Sequence, residues 1–199
     1  LLTLEDPIEY EHAPLQCLIH QREVGRDTPD FESGLRAALR EDPNVILVGE
    51  MRDAATIRLA LTAAETGHLV LSTLHTASAP QAVDRLVDAF GSHEKEAVRA
   101  LFAENLIAVL AQTLCPQLGG VGRVAAHEIM VGTPAVKNLI REGKVSQLYS
   151  AIQTGQAAGM QTLDQSLSRH FHSGQISAET LRLLSKFHPK AQSDGQLPA

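Results

Sequence analysis

Acidic residues follow apolar runs in this sequence, where a carboxylate could act on a metal ion or a water molecule. Residues 45–48 are four consecutive apolar side chains, and Gly49 and Glu50 come directly after them. Such a run is typical of a strand that is buried on both faces of a parallel sheet. Ligands of open α/β sheets bind at the carboxyl ends of the strands. Glu50 could therefore hold magnesium or position a water, and a solvated glutamate at a strand end is the alternative.

A second acidic group follows the short apolar run at the start of the sequence. Glu5, Asp6 and Glu9 lie within five residues, and Pro7 stops the strand because it interrupts extended pairing. Carboxylates this close repel one another unless a metal ion or a basic partner offsets their charge. The group therefore indicates either part of a ligand site or a solvated acidic turn.

A third polar group accompanies the apolar run 68–73. We expect His68, Thr73 and His75 to form a cluster at the end of this strand. Phosphate chemistry requires a carboxylate near the attacking water, a second carboxylate for the metal, and a polar group that senses the γ-phosphate. The three groups could supply these parts. The sequence contains no Gly-x-x-x-x-Gly-Lys-[Ser/Thr] loop, which would grip the phosphates.

These side chains require elements that bring them to one edge of a sheet. Capping residues and apolar spacing predict helices between the strands. Thr28 is the expected cap of the first helix, and Ser92 is the expected cap of a long one. Asn105 lies on the apolar face of this long helix, and we interpret it as a hydrogen-bonded core amide. Strand–helix–strand units of about 30 residues are typical of a parallel, doubly wound α/β sheet. The predicted strands are 1–5, 17–24, 45–48, 68–73 and 123–131, and the predicted helices are 29–42, 54–65, 80–90 and 93–113.

Short capped helices replace this pattern after Gly132. Their predicted starts are Pro134, Val145, Thr162 and Ser177. We therefore expect an α/β core over 1–132, a small all-helical subdomain over 133–187, and a disordered tail over 188–199.

Composition narrows the class of protein. The net charge of −6, the absence of Trp and the 4% aromatic content disfavour nucleic acid as a partner. Cys17 and Cys115 form no Cys-x-x-Cys motif, which favours buried thiols in a reducing compartment. The sequence has no run of about 18 apolar residues, so it predicts no membrane-spanning helix. The sequence begins inside an apolar run without an initiator Met, so we expect a fragment of a longer protein.

Four stretches together resemble the secretion ATPase superfamily, whose members power type II secretion and type IV pili. The resemblance extends from Leu1 to about Lys186. The stretches are 2–9 for the Asp box, 42–53 for the atypical Walker B motif, 66–76 for the His box and 134–142 for a C-terminal motif. The last of these is similar to a motif of the pilus retraction motors, in which Val136 and Lys137 are conservative changes.

The resemblance implies a RecA-like P-loop NTPase core with a largely parallel sheet, followed by the helical subdomain. It also implies that Glu5 polarises the attacking water, that Glu50 acts on magnesium through water, and that His75 lies near the γ-phosphate of ATP. Further nucleotide or subunit contacts are implied for Asp6, His68, Arg22, Arg36 and Arg40.

The resemblance implies a cytoplasmic hexameric ring ATPase, peripheral at the inner membrane, whose subunits carry an N-terminal PAS-like domain. Such a motor hydrolyses ATP to retract type IV pili, drives twitching motility and contacts an inner-membrane platform protein. The missing tetracysteine zinc element favours retraction over extension.

The Walker A loop of this family precedes the matching stretches, so residues 1–199 alone are expected to bind ATP poorly and to be inactive. A non-hydrolysing accessory paralogue of the motor ring is the alternative. Nucleic-acid translocation is disfavoured by the acidic balance and the C-terminal motif.

Overall fold

The computed structural model describes residues 1–185, in which four parallel strands form the sheet that carries the acidic residues. The strands are ordered β2-β1-β3-β4, and each neighbouring pair is parallel. Because β1 and β3 are neighbours, their carboxyl ends lie side by side at one edge of the sheet. The strands are β1 (Leu2–Glu5), β2 (His20–Glu23), β3 (Val45–Glu50) and β4 (Leu69–Thr73).

Two helices, α1 (Phe31–Ala38) and α2 (Ala54–Glu65), connect these strands and pack against the sheet. Leu4 and Leu35 are fully buried in the core between α1 and the sheet. Gly34 allows this close packing, because a Cβ atom there would lie 2.7 Å from Leu4 Cδ2. The parallel α/β core predicted from the apolar runs is confirmed.

The first helix differs from its prediction at both ends. Asp30, rather than Thr28, is its N-cap, and Asp30 Oδ1 accepts a hydrogen bond from the Ser33 backbone N–H at 2.7 Å. The Thr28 hydroxyl instead donates to the Asp30 carbonyl oxygen at 3.2 Å. An aspartate two residues further along offers a better placed acceptor for the free N–H groups of the first turn.

The long helix predicted over 93–113 is wrong in its second half. The segment forms a helix and then a strand that pairs antiparallel with the next strand, which has the predicted bounds. Ala111 and Cys115 are buried while Leu110 and Leu114 are exposed, which is the alternation of a strand. The elements are α3 (Ala79–Asp88), α4 (Lys95–Asn105), β5 (Ala108–Pro116) and β6 (Arg123–Val131).

The start of α4 also differs from its prediction. Glu94 is at the N-cap position, not Ser92, and its side chain makes no capping hydrogen bond. Asn105 ends the helix, and its Nδ2 donates to the Leu101 carbonyl oxygen at 2.9 Å. The half-buried amide is therefore hydrogen-bonded, as expected.

In the described chain, residues 1–185, four α-helices follow the β5–β6 hairpin and share its core. Thr162 and Gln165 form a reciprocal capping box at the start of the third of them. Met130 of β6 and Ile140 are buried in one hydrophobic cluster, so the helices pack on the hairpin. The boundary expected at 132 stays a prediction, and the expected tail over 188–199 lies outside the described residues. The helices are α5 (Pro134–Arg141), α6 (Leu148–Thr154), α7 (Leu163–His172) and α8 (Ala178–Leu184).

Within residues 1–185, no helix is both long enough and apolar enough to cross a membrane.

The two cysteines differ in exposure, so the expectation that both thiols are buried is wrong for Cys17. Cys17 lies exposed in the loop between β1 and β2, and Cys115 is fully buried in β5. Burial also raises the pKa of the Cys115 thiol, which leaves less of the reactive thiolate.

We predict that an aromatic disulfide reagent modifies Cys17 rapidly and Cys115 only after unfolding. Rapid modification in a Cys17→Ser variant would contradict this burial.

Candidate functional site

The carboxyl ends of β1 and β3 bring Glu5 and Glu50 to the same edge of the sheet. Gly49 keeps these ends close, because a Cβ atom at this position would lie 3.0 Å from the Leu4 carbonyl oxygen and 3.4 Å from Glu5 Cα. Any larger residue would press on the backbone of β1. The glycine before Glu50 is therefore part of the site.

Glu5 is held in place by two polar side chains. Thr3 Oγ1 donates to Glu5 Oε1 at 2.6 Å, and Gln21 Nε2 donates to the same oxygen at 3.0 Å. Glu5 is half-buried at the strand end. Oε1 accepts both hydrogen bonds, which orient the carboxylate, and Oε2 takes part in neither of them.

Glu50 lies between two nitrogen donors. It forms an ion pair with Arg52 through Oε1, and His75 Nε2 lies 3.3 Å from Oε2. The Glu50 side chain is only 12% exposed. The hydrogen bond from Arg52 lowers the pKa of Glu50, the partial burial opposes this, and His75 adds a smaller lowering. Glu50 is therefore ionised at neutral pH.

The loop after β4 places His75 beside Glu50. Thr73 pairs with Glu50 across a local irregularity between β3 and β4, and Thr73 Oγ1 donates to the Gly49 carbonyl oxygen at 2.5 Å. The chain then passes His75 and reaches Ser78, the N-cap of α3. The His75 side chain is 80% exposed, so it can reach a ligand at this edge.

His68 lies away from this cluster, so the expectation that it shares the strand end of His75 is wrong. It directly precedes β4 and thus lies at the amino edge of the sheet. Its Nδ1 is 3.0 Å from the Ala63 carbonyl oxygen and 3.2 Å from Thr66 Oγ1. These contacts join the end of α2 to the start of β4, which is a structural position.

The other predicted contact residues are spread over the surface. Asp6 is exposed and follows Glu5 at the site edge. Arg22 forms an ion pair with Glu41 at 2.9 Å. Exposed Arg40 lies on the connection from α1 to the start of β3, on the amino side of the sheet. Arg36 pairs with Glu32 one helical turn away at 2.7 Å.

Arg52 and Gln21 are absent from the residues predicted for the site. Arg52 lies within the 42–53 stretch. Because it follows Glu50 by two residues, its side chain could have been expected on the same side of the extended chain as Glu50, as an ion-pair partner. Gln21 could not be found from the sequence, because its contact with Glu5 depends on the pairing of Thr3 with Gln21 across β1 and β2.

The donors present fit magnesium bound together with phosphates. In the part of the chain that the structure describes, no three His, Cys, Asp or Glu side chains converge into a group that could hold a metal alone. Magnesium keeps several waters and is commonly held by one or two carboxylates plus substrate phosphates. Glu5 and Glu50 offer carboxylates of this kind at one edge.

Known proteins are similar to this chain in sequence and fold. The family described as Type II/IV secretion system protein matches residues 1–182. The chain is 61% identical over 186 residues to the type IV pilus retraction ATPase PilT of Pseudomonas aeruginosa, which covers 94% of this chain and 54% of that protein. It is 57% identical over 182 residues to a twitching motility protein of Neisseria gonorrhoeae, covering 92% and 49%.

A crystal structure of the pilus retraction motor PilT with bound ADP has the same fold, with a TM-score of 0.85 at 45% identity. The match covers 94% of this chain and 52% of that one. The chain thus spans about half the length of these relatives. From the family match over residues 1–182 and this likeness in fold, the chain belongs to the type II/IV secretion system protein family.

Proposed function

We propose that this chain is part of a motor ATPase that hydrolyses ATP to retract type IV pili and drive twitching motility. The observation that carries the proposal is the meeting of Glu5 and Glu50 at adjacent strand ends, with His75 Nε2 3.3 Å from Glu50 Oε2. The similarity to PilT supports the same activity. ATP is the substrate in this proposal, and magnesium is its companion ion.

Glu5 acts as the base in the proposed reaction. Its carboxylate is oriented by Thr3 and Gln21, so it can hold a water in line with the γ-phosphate and accept its proton. A water fixed in this way attacks without first having to be ordered.

Glu50 is the acid that holds magnesium, through a water, in the proposed site. When bound, magnesium neutralises negative charge on the phosphates. Arg52 and His75 flank Glu50 with N–H donors, and their side chains are 65% and 80% exposed. Each can turn from Glu50 to a phosphate oxygen without breaking a buried contact.

Residues outside this 199-residue chain supply the phosphate loop in the proposal, and residues 1–199 alone are inactive. Exposed apolar side chains on β4 of the parallel sheet support the presence of further chain, since Leu69 is 41% exposed and Leu71 is 47% exposed. Strands of a parallel sheet are normally covered on both faces. Further chain would cover these residues.

The proposed motor is a homo-oligomeric ring, in keeping with the hexamers of the secretion ATPases, and acts in the cytoplasm at the inner membrane. Helix α5 offers a surface for the pilus platform protein, because Val136 and Ile140 are buried while Asn138 and Arg141 lie further out. Nucleic acid is not a partner in this proposal.

We predict that Glu5→Gln lowers kcat for ATP by about 10²- to 10⁴-fold, the usual contribution of a general base. The variant should be tested in the chain extended to the length of its relatives. Glutamine retains an oxygen that can accept from Thr3 and Gln21, so the fold should persist. Steady-state ATP turnover measures the effect.

Glu65→Gln is the matched control for this experiment. Glu65 is an exposed carboxylate at the end of α2, on the amino side of the sheet, and its loss should leave kcat unchanged. Equal turnover in Glu5→Gln and the parent protein would remove Glu5 from the mechanism. A parent protein that binds ATP without turnover would instead favour the accessory paralogue.

The two histidines of the 66–76 stretch should behave differently. We predict that His75→Ala lowers kcat by at least about tenfold, since it removes a donor beside the reacting phosphate. His68→Ala should alter thermal stability but change kcat by less than about threefold. Comparable losses of kcat from both substitutions would contradict the separation of His68 from the site.

Removal of Arg52 should raise the pKa of Glu50. The hydrogen bond from Arg52 is the largest cause of the lowered pKa, so Arg52→Ala should return it towards its usual range. A lowered carboxyl pKa stabilises the fold above the unfolded pKa, and this contribution is lost as pH falls through the folded value. The Glu50 carboxyl carbon, followed by NMR against pH, measures the change.

Arg36→Ala is the control, because Arg36 is a similarly exposed, ion-paired arginine away from the site. It should leave the Glu50 titration unchanged. An unchanged Glu50 pKa in Arg52→Ala would show that the ion pair does not persist in solution.

A further inference from the structure

Glu128 is a buried carboxylate that the site chemistry does not use. It lies in β6 with 1% of its surface exposed, and its Oε1 accepts a hydrogen bond from the Ala79 backbone N–H at 2.8 Å. Among the described residues its Oε2 has no hydrogen-bond partner. A buried carboxylate with an unpaired oxygen is expensive to keep, and an apolar residue of similar size would often be more stable. Stability alone therefore gives a weak reason for a glutamate here.

The group that Glu128 holds is the start of the helix after His75. Ala79 is the first residue of α3, and Ser78 is its N-cap. A negative charge is favourable at this end of a helix, where backbone N–H groups lack partners. The bond therefore fixes the point at which the loop leaves the site and enters α3.

The loop that carries His75 is anchored at both ends. Thr73 Oγ1 bonds to the Gly49 carbonyl oxygen at one end, and Glu128 bonds to Ala79 at the other. The His75 ring is 80% exposed and is therefore not fixed by packing. Its position relative to Glu50 depends on these anchors.

We propose that Glu128 is a positioning residue that sets His75 at the phosphate site through the N-terminus of α3. Glu128 acts on the reaction only through His75, so this role rests on the proposed function of that histidine. Loss of the bond frees one end of a short loop, and a small misplacement of a reacting group can lower the rate by about 10²-fold.

The same strand joins Glu128 to the C-terminal helices. Ser166 Oγ accepts from the His127 backbone N–H at 3.1 Å, and Ile129 exchanges two backbone hydrogen bonds with Gln161 at 2.8 and 3.1 Å. The residues on either side of Glu128 are thus bound to α7 and to the segment that leads into it. A displacement of this segment would reach Ala79, and so His75, through one carboxylate.

The test compares two substitutions in the chain extended to the length of its relatives. Glu128→Asp keeps the charge but withdraws the acceptor by one methylene, whereas Glu128→Gln keeps the length and an acceptor oxygen. We expect Glu128→Asp to lower kcat by about tenfold with KM for ATP within about threefold, and Glu128→Gln to stay within about threefold for both. Hydrogen exchange of the Ala79 amide should accelerate by about tenfold or more in Glu128→Asp only.

Ser177→Ala is the matched control, since it removes the N-cap hydrogen bond of α8, accepted from the Thr180 N–H at 3.1 Å. It should lower stability with kcat unchanged under conditions where the protein is folded. If Glu128→Asp does not fold, Glu128→Met removes the same hydrogen bond from the acceptor side, and an apolar residue of similar size is often tolerated in place of a buried carboxylate. The same fall in kcat at constant KM is then expected.

Two results would overturn the positioning role. One is faster exchange at Ala79 in Glu128→Asp with kcat unchanged. The other is that Ser177→Ala lowers kcat as much as Glu128→Asp does at the same folded fraction. His75→Ala and the parent protein separate this failure from that of the proposed function. If His75→Ala keeps full kcat, the roles of His75 and Glu128 both fall while the ATPase activity stands, whereas a parent protein without turnover removes the proposed function itself. A loss in His75→Ala without one in Glu128→Asp rejects only the role of Glu128.

Discussion

The close parallel pairing of β1 with β3 is the constraint on which the rest of the site depends. Two carboxylates meet at one edge because Leu2, Thr3 and Leu4 pair with 46–48, so both strands end together. Gly49 makes the approach possible, since its missing side chain leaves room for the backbone of β1. Carboxylates brought together in this way repel each other, and the site needs positive charge or hydrogen-bond donors to stay ionised.

The two acids meet this requirement differently, which suits them to different tasks. Glu50 has a cation in Arg52, and the resulting low pKa keeps it charged, as an acid that holds a metal ion must be. Glu5 is held by the neutral donors Thr3 and Gln21. Neutral donors orient a carboxylate without a full opposing charge, so it is in place to position a water. The proposed division of roles thus follows from the partners of each acid.

The sequence predicts β1, β3 and β4 and the polar residues at their ends well, because each of these strands is a largely apolar run. Glu5, Glu50 and His75 can be named in this way. The partners of these residues cannot, since Gln21 reaches Glu5 only through strand register. The apolar residues of β5 fit the helical period as well as the strand period, and only its pairing with β6 decides between them. His68 is misplaced from the sequence because a run of apolar residues does not show that the histidine precedes the strand rather than ending it.

Buried polar groups give little sequence signal, although they determine how the parts of the fold are joined. Glu128 stands in the apolar strand β6 and resembles, in the sequence, an outward-facing residue. The structure turns it inward, because the small Ala111 of β5 pairs with it and the N-terminus of α3 lies within reach. The carboxylate then completes the first turn of α3 and fixes the end of the loop that carries His75. A single buried acceptor can therefore join the hairpin, and the C-terminal helices bound to it, to the edge of the sheet where the two acids meet.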